Sequence, residues 1–266
     1  MSVRLLSWLL ASALTASAQQ TQPQVSQPEV PEANPGRPTI ATPATLTPVG
    51  FLQFETGFLS ARQSPEFSSQ PSINEVIKFS VSPRVELLAV TEPFVHSRVG
   101  MQTANQTGDV SVGAQGVVYQ GEGARPTVAL SYLRRVYNGN TPDLDVGSTD
   151  NSALFLVSAD LKGFHCDSNY FFNEAVAARI RRAQFGQTLS VSHALTGKFG
   201  LTGEVWHFTQ PFLRGNAVGN LWAVNYNARS NLVLDAGFNR GLTDTSTRWE
   251  VFVGVTYLLP HKIRMH

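Results

Sequence analysis

The sequence predicts an all-β protein, an up-and-down antiparallel transmembrane β-barrel of about twelve strands that follows a disordered N-terminal segment. Three observations predict this fold. The chain of 266 residues begins with an export signal. From residue 48 onward, short segments alternate apolar and polar residues. The connections between these segments are alternately short and long along the chain.

Residues 1–18 have the three parts of a secretory signal peptide. Arg4 supplies the positive charge, residues 5–14 form an apolar run, and Ala16-Ser17-Ala18 is a small-residue cleavage site. We expect cleavage between Ala18 and Gln19. The apolar run is shorter than the roughly 20 residues of a membrane-spanning helix. The signal therefore predicts export, and with the strands it predicts the outer membrane of a Gram-negative bacterium.

Residues 19–47 are rich in proline, glutamine and threonine. Proline fixes the backbone φ angle and lacks an N–H donor, so this segment is expected to form neither helix nor sheet. We predict a disordered periplasmic linker. Two roles stay open for it: a solvated tail, or a tether to peptidoglycan or to a protein partner.

Residues 48–259 contain the predicted barrel, and residues 260–266 a C-terminal tail. The predicted strands are 49–61, 73–81, 85–93, 109–120, 126–137, 151–162, 165–173, 184–194, 199–209, 217–227, 232–240 and 247–259. Residues 173–182 also fit a short helix. The connections after even-numbered strands are short, and the largest others are 94–108 and 138–150, each a candidate gate. A barrel with both termini in the periplasm requires this order, because periplasmic turns are short and outer loops long.

The predicted strands have one apolar and one polar face. In the strand 232–240, Leu232, Leu234 and Phe238 share a face because side chains alternate with period two. Apolar faces would meet lipid and polar faces would line the lumen. The predicted lumen residues are Gln53, Glu55, Lys78, Glu86, Glu92, Arg134, Asp160, Asp167, Glu204, Asn225, Asp235, Asn239 and Glu250. This mixed charge fits either a polar plug held by ion pairs or a wet, weakly selective pore.

Composition and motifs exclude several function classes. The single cysteine, Cys166, cannot form an intrachain disulfide, and a net charge of +1 does not suit a nucleic-acid-binding protein. The sequence has no GxSxG, HExxH, CxxC or phosphate-loop motif. We therefore predict no catalytic residues, no metal, no cofactor and no enzymatic activity. A barrel-embedded lipid hydrolase using Ser190 or Ser192 with His193 stays a minor alternative.

Three arginines, Arg179, Arg181 and Arg182, lie close together beside a predicted outer connection. Arginine can bind phosphate groups through paired hydrogen bonds, so these residues are candidates for contact with lipopolysaccharide. A solvated run of charge is the alternative. The expected partners are outer-membrane lipid and lipopolysaccharide, the outer-membrane assembly machinery and a small-molecule solute.

Four blocks of the barrel resemble one known family. Residues 48–57 read P-x-G-x-x-Q-x-E-x-G, and residues 81–87, 108–115 and 234–242 supply a turn with an early glutamate, a G-D-x-x-x-G block and a penultimate strand. In this order they resemble the outer-membrane family of the MetA pathway of phenol degradation, a family of presumed transporters. Gln115 stands where that family has lysine, and Tyr257-Leu258-Leu259 replaces its final aromatic-x-Phe signal. The resemblance implies an outer-membrane barrel with a transport role.

The sequence thus predicts a passive channel or transporter for small molecules, including aromatic or hydrophobic ones. The alternative is a closed-lumen barrel with a structural or adhesive role, and the hydrolase is third.

Overall fold

The computed structural model describes residues 31–139, 141–142, 144–146, 149–213 and 215–263. The predicted signal peptide and residues 19–30 lie outside this part of the chain. Thirteen strands occur in the described residues. Their bounds are β1 Leu52–Arg62, β2 Ser69–Ser82, β3 Val85–Val99, β4 Gln102–Gln106, β5 Val110–Tyr119, β6 Thr127–Tyr137, β7 Thr149–Leu161, β8 Phe164–Ala177, β9 Ile180–Thr196, β10 Phe199–Thr209, β11 Asn216–Arg229, β12 Leu232–Gly241 and β13 Trp249–Leu258.

Twelve of these strands close into one antiparallel barrel. Each pairs with its neighbour in sequence, and β1 joins β13 through a register that runs from Gln53–Leu258 to Arg62–Trp249. The remaining strand, β4, pairs only with the end of β3. The predicted up-and-down barrel is confirmed. No helix in the described part of the chain is long and apolar enough to span a membrane.

The two faces of the wall also follow the predicted alternation. In β13, Val251 and Val253 point outward and are 54% and 53% exposed, while Glu250 and Phe252 point inward and are buried. The outward faces of the barrel carry the large apolar side chains that lipid requires. The inward faces carry glutamines, carboxylates, serines and threonines, so the polar residues that the sequence sorts to one face share the lumen.

The connections define two ends of the barrel. The short-turn end has connections 83–84, 120–126, 162–163, 197–198 and 230–231, and the long-loop end carries the others. At the short-turn end, Lys162 and Gly163 both have positive φ angles of 52° and 87°, the conformation of a two-residue hairpin whose twist matches its strands. The sequence predicts that the short-turn end faces the periplasm.

Two predicted connections are hairpins in the structure. Residues 94–108 were expected to form a large loop, but β3 continues to Val99 and pairs there with β4. The helix predicted as an alternative for residues 173–182 is wrong, because β8 and β9 continue to a two-residue turn at Ala178-Arg179. Both segments lose the apolar alternation while keeping the backbone ladder. Strand pairing needs only backbone hydrogen bonds, so the sequence pattern ends before the strands do.

The largest departure from the sequence prediction is at the N-terminus. Residues 33–47, here called the strap, lie inside the barrel, where Ala41 and Ala44 are fully buried. A disordered periplasmic linker is therefore wrong for this part of residues 19–47. Its prolines do exclude regular structure, as expected, but side chains of the barrel wall hold the strap in one irregular conformation with bends at residues 38–41 and 44–45.

A charge on the outward face should destabilise the barrel in lipid. We expect Val253→Arg to lower the free energy of unfolding by about 2–4 kcal/mol, the cost of arginine at mid-depth in a bilayer. Urea unfolding in phospholipid vesicles measures this value. Leu242→Arg, in an exposed connection at the long-loop end, is the matched control and should change it little. Equal effects of the two substitutions would contradict the assignment of this face to lipid.

Candidate functional site

The strap runs around the inside of the barrel close to the short-turn end. It meets the inner wall at strands spread around the barrel, and its contacts follow the order of those strands except at Pro43, whose carbonyl accepts from Gln115 of β5. The contacts are Asn34 and Gly36 with β1, Arg37 with β12, Ile40 and Ala41 with β10, Thr42 with β8, Ala44 with β7, and Thr47 with β3. The strap is therefore a lining of the lumen and not a tail that passes through it.

The first contacts join the strap to β1. Gln53 and Asn34 form a reciprocal pair, in which the Asn34 N–H donates to Gln53 Oε1 at 2.8 Å and Gln53 Nε2 donates to the Asn34 carbonyl at 2.7 Å. The Gly36 N–H donates to Glu55 at 3.0 Å, and Lys78 forms an ion pair with the same carboxylate at 2.6 Å. Glu55 is thus shared between a wall lysine and the strap backbone.

Glu204 accepts hydrogen bonds from the middle of the strap with both carboxylate oxygens. The Ile40 N–H donates to Oε2 at 2.8 Å and the Ala41 N–H to Oε1 at 2.7 Å. Asn169 binds the next strap residue, Thr42, through two hydrogen bonds. Its side-chain amide accepts from the Thr42 N–H and donates to the Thr42 carbonyl, as the backbone of a neighbouring strand would. These two wall side chains replace the sheet ladder that a proline-rich segment cannot form.

The end of the strap is held by hydroxyl and carboxylate groups. The Ala44 N–H donates to Ser158 Oγ at 2.7 Å, and that hydroxyl donates to Asp167 at 2.5 Å. Glu86 accepts hydrogen bonds from the Thr47 N–H at 2.8 Å and from the Thr47 hydroxyl at 2.5 Å. Four inward carboxylates, those of Glu55, Glu86, Glu204 and Asp235, therefore each bind a donor from the strap.

Arg37 forms the ion pair between the strap and the wall. Its Nε and Nη2 each lie 3.3 Å from a different oxygen of Asp235. The side chain passes over Gly57 of β1 and Gly254 of β13, which are paired in register. A Cβ atom at either glycine would overlap the guanidinium group. The wall is therefore shaped to admit this arginine.

An apolar cluster lies inside the barrel and contacts the strap. Leu156, Phe171, Trp206 and Phe208 belong to it, with Ile40, Ala44 and Leu46 contributed by the strap. Trp206 is only 2% exposed and Phe208 is fully buried. In an open, water-filled lumen these inward rings would be wet. The strap therefore covers these rings on this side of the lumen.

A loop enters the lumen from the long-loop end. Leu144 and Val146 of the connection between β6 and β7 pack against inward apolar clusters of the wall. The Thr247 N–H donates to Asp145 at 2.6 Å, and Gln210 donates to the Asp145 carbonyl. We call residues 144–146 the inward loop. The sequence predicts residues 138–150 as a candidate gate, and the described part of that loop does enter the lumen.

Burial raises the pKa of the Asp145 carboxyl, on the inward loop, to about 6 from its ordinary 3.8. Hydrogen bonds from Thr247 oppose this shift without cancelling it. The carboxyl also faces that of Glu250 on β13. The contact between the inward loop and the wall therefore favours the protonated form of Asp145.

The structure brings most of the predicted lumen residues to the inner wall. Those buried on inward faces are Gln53, Glu55, Lys78, Glu86, Asp167, Glu204, Asp235, Asn239 and Glu250. Asn225 is half-buried and donates to Thr202, whereas Asp160 sits exposed at the short-turn end beside His165. Glu92 lies near the long-loop end against Gly108.

The prediction for Arg134 is wrong, because this residue faces outward with Leu130 and Tyr132. Adjacent strand residues point to opposite faces, so only one of Arg134 and Arg135 can face inward. That residue is Arg135, which forms ion pairs with Asp109 and Asp150. The positions of Asp109 and Asp150 in the sequence are the feature that could have indicated Arg135 as the inward arginine.

The strap residues were missed by sequence reasoning. Arg37 and Thr47 sit in a segment whose composition predicts disorder, and Asp145 sits in a predicted outer loop. One feature of the sequence does indicate such a segment: the predicted inward faces carry more acidic residues than the single lysine Lys78 can pair with. Buried carboxylates need hydrogen-bond donors, so another part of the chain has to supply them.

The three clustered arginines lie at the tip of the β8–β9 hairpin. Arg181 forms ion pairs with Asp150 and Glu174, and Arg182 stacks over Phe212. Arg179 is exposed in the turn with a φ angle of 68°.

The barrel resembles solved outer-membrane channels. It is similar to the COG4313 outer membrane channel from Pseudomonas putida F1, with a TM-score of 0.58 and 12% identity over 81% of this chain and 98% of that one. It is also similar to the NanC porin, with a TM-score of 0.54 and 13% identity over 78% of this chain and all of that one. No protein-family model and no curated protein matches the sequence. At these identities the likeness shows the fold, that of an outer-membrane barrel.

Removing the central carboxylate should loosen the strap. We expect Glu204→Ala to leave the N–H groups of Ile40 and Ala41 without acceptors, at a cost of about 3 kcal/mol for two charge-assisted hydrogen bonds. The maleimide labelling rate of Ala44→Cys, in a Cys166→Ser background, should then rise about a hundredfold. Glu122→Ala, in an exposed turn, is the control. An unchanged labelling rate in the Glu204 variant would show that these hydrogen bonds do not hold the strap.

The position of the inward loop should depend on pH through Asp145. Its raised pKa means that the inward position is fully stabilised below pH 3.8 and loses this contribution as pH rises through about 6. The labelling rate of Leu144→Cys, divided by the same rate in an Asp145→Asn variant, should rise up to about a hundredfold between pH 4 and pH 7. The ratio cancels the titration of the thiol itself. A flat ratio would contradict the role of this carboxyl.

Proposed function

We propose that this protein is an outer-membrane channel for small solutes, closed at rest by the strap and the inward loop. The observation that carries the proposal is that the elements inside the lumen are separate from the sheet. Between residues 34 and 47 the strap bonds to side chains of the wall. Its displacement would leave the hydrogen bonds of the twelve-stranded ladder in place.

The size of the barrel supports a channel. Eight strands leave an interior that side chains nearly fill, and sixteen leave a wide aqueous channel, so twelve strands give an intermediate bore. Here a fifteen-residue strap fits inside that bore together with the tip of a loop. A lumen that holds a polypeptide has room for a small solute once the polypeptide moves.

The alternative is a barrel that stays closed and has a structural or adhesive role. The burial of Trp206 and Phe208 supports it too, because both rings are sealed in the resting state. The two proposals differ in what the strap does. In a structural barrel the strap is permanent filling, whereas in a channel it is a removable plug.

The proposal includes no catalytic step. His193 donates through Nδ1 to the Gly163 carbonyl, and His165 contacts the carboxylates of Asp160 and Asp167. These contacts do not favour the hydrolase that the sequence leaves open. The proposed partners are outer-membrane lipid, the assembly machinery and lipopolysaccharide, whose phosphates Arg179 would face if the long-loop end lies outside the cell. The family name and the solute also stay proposals.

Removal of the strap should open the channel. We expect a variant lacking residues 19–47 to show steady conductance steps in planar bilayers at pH 7, because the inner wall loses the strap and the inward loop has lost the stabilisation that protonated Asp145 gives it. A variant lacking only residues 19–32 keeps the strap and is the matched control, which should stay closed like the full chain. Both must migrate as folded barrels before heating. Absence of steps from the folded 19–47 deletion would favour the structural barrel.

A further inference from the structure

The contact of Arg37 with the wall has the form of a binding site. Gly57 of β1, Gly254 of β13 and Asp235 of β12 form one row across three neighbouring strands, since Gly57 pairs with Gly254 and Gly254 pairs with Asp235. All three occupy inward positions of their strands. We call this row the glycine socket.

The shape of the socket fits a flat group. A Cβ atom on Gly254 would lie 2.6 Å from Arg37 Nη2, and one on Gly57 would overlap the same guanidinium. Glycine within a strand weakens the sheet and often marks a close approach by a ligand or another backbone. Two paired glycines at one depth of the wall therefore leave a shallow floor on which a planar cation can lie.

The charge of the socket fits the same group. Asp235 presents both oxygens to the guanidinium, at 3.3 Å from Nε and 3.3 Å from Nη2, and its side chain is only 3% exposed. Paired, parallel hydrogen bonds distinguish a guanidinium from an ammonium ion, which is a compact point charge. Lys78, the wall cation near the start of the strap, is already paired with Glu55. Asp235 is therefore left for a visiting cation when Arg37 leaves.

We infer that the glycine socket is a guanidinium-binding site of the lumen, which Arg37 occupies while the channel is closed. The solutes that the open channel accepts would then be cations that carry a guanidinium group. Withdrawal of the strap also removes donors from Glu86 and Glu204, which makes the lumen more attractive to cations. This inference rests on the proposed function for the transport of such solutes, but the binding site can be tested separately.

Chemical rescue of Arg37→Ala tests the site in the full chain. This substitution empties the socket while the remaining strap contacts are kept. Methylguanidinium, titrated at millimolar concentrations, should raise the thermal unfolding midpoint of Arg37→Ala and leave the wild type unchanged, because the socket of the wild type is occupied. Methylammonium should bind about tenfold more weakly, because it cannot make the paired hydrogen bonds.

The double variant Arg37→Ala/Asp235→Asn is the control for the site. It should show no specific response to methylguanidinium. Equal responses of the single and double variants, or of methylguanidinium and methylammonium, would overturn the inference. If Arg37→Ala does not fold by itself, its refolding yield in detergent should depend on methylguanidinium, and a yield that methylguanidinium does not change would overturn it as well.

A second measurement separates this inference from the proposed function. The reversal potential of the variant lacking residues 19–47, in a gradient of potassium chloride, should indicate cation selectivity, and Asp235→Asn should reduce it. If the deletion variant conducts but is anion-selective, and methylguanidinium does not stabilise Arg37→Ala, the guanidinium site is wrong and the channel is supported. A barrel that binds methylguanidinium but does not conduct would overturn the channel and leave the site standing.

Discussion

Buried carboxylates without donors are too costly for a folded protein, and this constraint explains the interior of the barrel. The inner wall places Glu55, Glu86 and Glu204 where water does not reach them. Apart from Lys78, their donors come largely from the backbone N–H groups of the strap and from neighbouring wall amides and hydroxyls. Wall and strap therefore depend on each other. The strap needs acceptors because its prolines exclude a ladder, and the wall needs donors because its acidic residues outnumber its basic ones.

This mutual dependence makes the closed state specific. Glu204 can satisfy two successive N–H groups only if the strap has one register, and the glycine socket admits one side chain of the strap at one depth. Buried polar contacts that are fully satisfied restrict the strap to a single arrangement. A strap held by such contacts is fixed in place yet remains separable from the sheet.

The barrel itself could be predicted from the sequence because lipid on one side and a polar lumen on the other impose period-two alternation. That signal located Glu55, Glu204 and Glu250 on the inner wall. It disappears outside the lipid layer, so the sequence predicts a loop for residues 94–108, where the structure has a hairpin. It also could not choose between Arg134 and Arg135, since the choice depends on distant partners, Asp109 and Asp150.

The strap could not be predicted because its amino-acid composition reports only the local conformational preferences of the segment, and not its contacts with the wall. Proline-rich residues 33–47 have no pattern of secondary structure, and their order comes from side chains more than a hundred residues away, such as Glu204 and Ser158. The pairing of Gly57 with Gly254 cannot be predicted from the sequence either. Only the strand register places them side by side under Arg37.

Cross-linking of the strap to the wall in intact outer membranes tests the central claim most directly. Ala44→Cys and Ser158→Cys, in a Cys166→Ser background, place thiols on two neighbouring residues, because the Ala44 N–H donates to Ser158 Oγ at 2.7 Å and this contact keeps the two Cα atoms within the reach of a disulfide. The account predicts that oxidation joins them almost completely and that neither thiol reacts with a water-soluble maleimide. A strap that stays uncross-linked and reacts with maleimide, in a barrel that is otherwise folded, would contradict the account.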